Sequence, residues 1–241
     1  MSALVPQVDD PLASSLATPE PIVSIDITAE LRWFFDGPLP AEVHSWFTRA
    51  GSRGFREYRC DTYRHDNLVD VGVKRRFGTT LELKERLDAP EPLEVGRMTG
   101  QLETWQRWSP ADHRVALAAD TIWVDVDKTI IKRRFDQDGR EVAISEETRA
   151  MTGQGCDAEI VALSVHGQPA WSLAFAAFGP IAVRRRYLLD TWGETILNTP
   201  TPPSLDFGRA VPFGYPEWLI EIGSVAGADS EAQEADPAED H

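Results

Sequence analysis

Cysteine is almost absent: the 241 residues hold only Cys60 and Cys156, with no C-x-x-C spacing. That excludes a disulfide scaffold and a cysteine-based zinc site, and it makes a reducing, cytoplasmic setting the expectation. The chain has no run of about 18 apolar residues, so no membrane-spanning helix is expected. Residues 1–20 contain no Lys or Arg and no apolar stretch, which argues against a secretory leader. The five histidines, His44, His65, His113, His166 and His241, show no metal spacing. Neither a G-K-[ST] phosphate loop nor a G-x-S-x-G nucleophile elbow is present.

Bases are missing from both ends as well. Residues 1–20 carry Asp9, Asp10 and Glu20, and 224–241 carry Asp229, Glu231, Glu234, Asp236, Glu239 and Asp240, none of them answered by a Lys or Arg. Without these nine acids the formal net charge of -15 becomes -6. Both ends are rich in Ala, Pro and Ser and too poor in apolar residues to order themselves. Residues 1–20 and 223–241 are therefore expected to be disordered acidic tails around a single domain over 21–222. The acidity argues against a general nucleic-acid binder, which needs an external basic face.

What is present reads as β-structure. Residues 22–35 (IVSIDITAELRWFF) alternate and are rich in β-branched and aromatic types. Strands are also predicted over 56–64, 69–77, 79–87, 99–108 and 120–135, with a tight turn at Phe77-Gly78-Thr79. A hairpin is predicted from 157–165 and 169–178 around His166-Gly167-Gln168-Pro169. Helices are predicted over 41–50, with Gly51 as C-cap, over 180–197, and as a short turn begun by Ser109-Pro110. Residues 199–216 read as loop, and 215–220 as a last apolar anchor. Eight strands with few intervening helices give an α+β, mainly antiparallel class: an eight-stranded closed barrel or tunnel with a few flanking helices.

The charges fall on one face of these strands. Lys74 and Arg76 point the same way; so do Glu82, Lys84 and Arg86, opposite Leu81, Leu83 and Leu87; so do Lys128, Lys132 and Arg134; and so do Glu30 and Arg32. On an open sheet these rows would be a solvated outer face. If the sheet closes, the predicted helices need the leucine face, and the bases then turn into the lumen. A lumen lined with cations is tolerable when it holds water or a multiply charged anion such as a polyphosphate. Glutamates among the bases would hold Mg²⁺ or Mn²⁺, which take carboxylate and phosphate oxygens together.

The stretch D-T-Y-R-H-D-N-L-V-D-V-G-V-K-R-R-F-G-T-T-L-E-L-K-E-R, within 56–87, resembles the basic strand pair of the CYTH-like, or triphosphate tunnel, family. The likeness extends loosely over 22–198. It implies an eight-stranded antiparallel tunnel that binds triphosphate with Mg²⁺ or Mn²⁺, and a C-terminal helix that can close it. Carried onto this chain, it implies Arg32, Lys74, Arg76, Lys84, Lys128, Lys132 and Arg134 as substrate-binding residues. Glu30, Glu82 and Glu159 would hold metal, joined by Glu103, and Glu30 and Lys84 would be catalytic. The family's opening E-x-E-x-K reads Thr28, Glu30 and Arg32 here, and Ala174 and Ala176 stand where its eighth strand often bears glutamates.

Two readings follow from the resemblance. One is a metal-dependent phosphohydrolase acting on an inorganic or organic triphosphate. The other is a tunnel that binds a polyphosphate-type anion without turnover. Asp125-Val126-Asp127-Lys128-Thr129 fits D-x-D-x-T, the nucleophile motif of haloacid dehalogenase-like phosphatases, but the strand alternation runs on through it. Gly153-Gln154-Gly155 leads into a strand, so a dinucleotide fold is not expected. The tryptophans Trp33, Trp46, Trp105, Trp123 and Trp171 are expected in the core.

Overall fold

The computed structural model describes residues 22–223 except 50–53, 77–79, 96–97, 111–121, 149, 194 and 196–199. Its strands are β1 (Ile22–Asp36), β2 (Phe55–Arg64), β3 (Val71–Arg76), β4 (Thr80–Arg86), β5 (Glu91–Val95), β6 (Met98–Pro110), β7 (Trp123–Asp136), β8 (Glu141–Val142), β9 (Gly155–Val165) and β10 (Gln168–Phe178). They pair in the order β1-β10-β9-β7-β2-β3-β4-β6, and β6 returns to β1. All these ladders are antiparallel, so eight strands close a barrel; β5 and β8 are short additions to β6 and β7. Closure removes the free edges that eight strands would otherwise expose.

Alternation then sorts every strand into an outer and an inner face. Leu31, Trp33 and Phe35 of β1, Leu173 and Phe175 of β10, and Ala158 and Ile160 of β9 point outward and are buried. They are covered by α1 (Ala41–Phe47), through Val43 and Phe47, and by α2 (Ile181–Trp192), through Leu188 and Trp192. The outward apolar face of β1, β9 and β10 thus lies under helices, whereas the predicted leucine row of β4 does not: Leu81 and Leu83 are half-buried and Leu87 just past it is exposed. β9 and β10 join through a two-residue turn in which His166 (φ 51°) and Gly167 (φ 78°) take the positive φ of a type I′ hairpin.

Several boundaries differ from the sequence reading. Ser109 and Pro110 continue β6 instead of starting a helix: they pair with Ser24 and Ile22 at the end of β1. α1 stops at Phe47, where Thr48 closes onto the His44 carbonyl, and Gly51 lies outside the described residues. So do the Phe77-Gly78-Thr79 turn and the predicted tails at 1–20 and 223–241, except Gly223, which is helical. β5 and β8 were not expected; two to five residues are too few for a period to show. The apolar anchor is a helix, α3 (215–223). Its Trp218 and Leu219 enter one end of the barrel and pack on Phe34, Tyr63, Val126, Leu163 and Val165. One end of the bore is therefore floored by apolar side chains. No described helix is long and apolar enough to cross a membrane.

Candidate functional site

The inner face above that floor is charged. A cavity of about 150 Å³ is lined by eight bases, Arg32, Arg59, Lys74, Arg76, Lys84, Arg107, Lys128 and Lys132, contributed by six strands. Such a volume holds on the order of ten waters. Arg59, Tyr63, Trp105, Arg107 and Tyr215 were missed as site residues in the sequence. The first four were legible as alternation within strands already recognised, where Arg59-Asp61-Tyr63 and Glu103-Trp105-Arg107 each share a face. Tyr215 was hidden because the segment read as an anchor.

The bore also supplies its own counter-charges. Asp26, Glu30, Glu82, Glu103, Asp157 and Glu159 line the same cavity, and Asp61 lies wholly buried behind it. Lys84 donates to both oxygens of Glu30 at 2.7 Å, and Thr28 Oγ1 adds a bond of 2.6 Å. Arg76 meets Glu82 at 2.8 Å. Arg32 reaches across Ala174, its partner in register, to Glu159 at 3.3 Å and Ser172 at 3.0 Å. Lys132 lies 3.5 Å from Asp157 and 3.6 Å from Glu159. The cations are thus tolerated without a guest because each has a carboxylate near it, which the strand-by-strand view of basic rows did not anticipate.

Burial and pairing set the protonation states. Desolvation alone would raise the buried acids, but Lys74, Arg76 and Arg107 hold Glu82 down at about 2, and Lys132 and Arg32 do the same for Glu159. Lys84 keeps Glu30 below its ordinary value. Glu103 goes the other way: burial raises it despite bonds from Trp105 and Arg86. Burial lowers Lys74 and Lys128 to about 7. Lys128 Nζ donates to Tyr63 Oη at 2.6 Å and stands 3.9 Å over the Tyr215 ring.

The structure brings together Glu30 and Lys84, and places Arg32, Lys74, Arg76, Lys84, Lys128 and Lys132 around one cavity. Arg134 is used elsewhere. It grips Asp157 through Nε and Nη2 and the Thr148 and Ala150 carbonyls through Nη1, tying the 143–154 loop to the barrel. The proposed metal ligands do not fit a divalent cation. Glu30, Glu82 and Glu159 each face their own bases, and the two buried Glu82 oxygens without an aligned hydrogen bond are ringed by Arg76, Lys74 and Arg107. A Mg²⁺ there would face three positive charges, from Arg76, Lys74 and Arg107. Among the described residues no group of three His, Cys, Asp or Glu could hold a metal ion. Asp125 and Asp127 are exposed on the outer face, with Asp125 accepting from Thr62, so the D-x-D-x-T match is not a nucleophile site.

Among solved structures the chain matches an RNA triphosphatase at low identity. The S. pombe Pct1 RNA triphosphatase in complex with the Spt5 CTD is 12% identical at a TM-score of 0.34, covering 73% of this chain and 80% of that one. A second structure of S. pombe Pct1 is 10% identical, also at 0.34, covering 80% and 95%. No family model and no curated protein matches the chain. What the bore can do follows from its own side chains.

Proposed function

We propose that the bore binds a compact, multiply phosphorylated anion of the triphosphate or short polyphosphate type, and holds it without turnover. The observation that supports this reading is the convergence of eight bases from six strands on one enclosed cavity where six acids answer them. Arg32, Lys84, Arg107 and Lys132 have side chains 13%, 36%, 27% and 22% exposed, so water already reaches them. Their ion pairs are less enclosed than those around Asp61, so these are the cations an entering phosphate oxygen reaches first, with charge-assisted bonds of its own. Binding without hydrolysis is favoured because Glu30, Glu82 and Glu159 are bound up with bases, and because alanines stand at 174 and 176.

Hydrolysis is the second reading. It is supported by the pairing of Glu30 with Lys84 in the same cavity, beside Thr28. One experiment separates the two. The protein is incubated with tripolyphosphate, ATP and thiamine triphosphate, with and without Mg²⁺ or Mn²⁺, while binding and released orthophosphate are measured. Binding that is lost in the Arg32→Ala/Lys132→Ala variant, with no release, is the expected result. Release that disappears in Glu30→Ala establishes the hydrolase instead. Absence of both binding and release at low salt overturns both readings.

A further inference from the structure

Asp61 is the most enclosed acid in the bore. Its side chain is 0% exposed, and four bases surround it: Lys128 at 3.0 Å, Arg59 at 3.2 Å, Lys74 at 3.4 Å and Arg76 at 4.0 Å. Glu82 has three such neighbours and Glu159 two. The inner face of β2 runs Glu57, Arg59, Asp61, Tyr63 toward the floor, and Tyr63 already stacks on Tyr215 there, at 5.2 Å. Asp61 therefore sits one layer above the apolar floor. Its Oδ2 accepts from Arg59 Nε at 3.3 Å and Lys74 Nζ at 3.4 Å, while its Oδ1 has no aligned hydrogen bond.

We propose that Asp61 is a resident counter-anion that occupies the place of an innermost phosphate and so limits how deep a phosphoanion can penetrate, which makes it a specificity-determining residue. The inference rests on the polyanion reading above. Four converging bases would otherwise form the strongest anion subsite in the barrel. With Asp61 among them, and Glu57 and Glu82 beside them, most of their charge is already answered. The guest is left with the outer set, Arg32, Lys84, Arg107 and Lys132, and a longer phosphate chain finds no free cation further in.

Calorimetric titration of the full chain and of Asp61→Asn with orthophosphate, pyrophosphate and tripolyphosphate, at low salt and pH 6.5, tests this. Removing one unit of negative charge beside the subsite is expected to tighten tripolyphosphate by at least about tenfold. Equal or weaker binding by the variant overturns the counter-anion role while the polyanion reading stands. Failure of both proteins to bind any phosphate overturns both. Should Asp61→Asn prove unfolded by circular dichroism, the Asp61→Asn/Lys128→Met pair replaces it, removing one charge of each sign at similar volume. That variant is expected to bind tripolyphosphate at least as tightly as the unaltered chain, because Arg59, Lys74 and Arg76 are released. Weaker binding by a folded double variant overturns the proposal.

Discussion

Two lysines and two glutamates tie the stability of the bore to pH in the same direction, over two separate ranges. Lys74 faces Asp61, Glu82, Arg76 and Lys128, and Lys128 faces Asp61, Arg59 and Arg32. Both titrate near 7 when folded, against an ordinary 10.5, because burial disfavours the ammonium. Between those values the unfolded chain binds more protons, so stability rises with pH from about 7 to 10.5. Anion affinity runs the other way: tripolyphosphate should bind more weakly at pH 8 than at pH 6, and Lys74→Met should flatten that difference in a calorimetric titration. Glu82 and Glu159 are held near 2, so their contribution is present above about 4.5 and lost as pH falls toward 2. Acid unfolding followed by circular dichroism should begin at higher pH in Glu82→Gln. These residues were legible as a face of alternating charge. The partner of each was not, because pairing depends on strand order: Arg32 meets Glu159 only because β10 lies between β1 and β9 and offers alanine at the crossing.

At the scale of the element, α3 and the start of β9 carry the most specific expectations. Trp218 is buried and stacks on Phe34 with ring centroids 4.3 Å apart. Its truncation in Trp218→Ala should cost about 3–5 kcal/mol in denaturant unfolding, the usual range for a large aromatic removed from a core. Gly155 adopts φ 153°, and a Cβ there would fall 2.2 Å from the Phe135 carbonyl oxygen. Gly155→Ala should therefore lower the melting temperature and disturb the β7–β9 ladder at its end, read by amide exchange at Cys156 and Asp157. The long strands announced themselves by alternation. α3 did not, because nine residues after a proline-rich stretch give too short a window to show a 3.6-residue period. The Ser109-Pro110 pair misled for a related reason: a serine followed by proline suits a helix start, yet a strand end leaves a proline equally without need of a donor.

For the whole molecule, barrel closure was readable because the helices needed an apolar face to pack on, which β1, β9 and β10 supply, and this left the charged rows only the inside. What was not readable was the near-balance of that inside. Rows of Lys and Arg stood out in the sequence, whereas the acids answering them came from strands read for their bases or their apolar residues, such as Asp61 on β2 and Asp157 on β9. Near-balance has a measurable signature. Raising the ionic strength should weaken tripolyphosphate binding at the exposed outer bases, while thermal stability, which draws on the enclosed pairs around Asp61, should move far less. The apolar floor made by α3 has a consequence for traffic. A barrel stoppered at one end works as a cul-de-sac, so whatever goes in must back out through the same opening, and a second guest waits until the first has left.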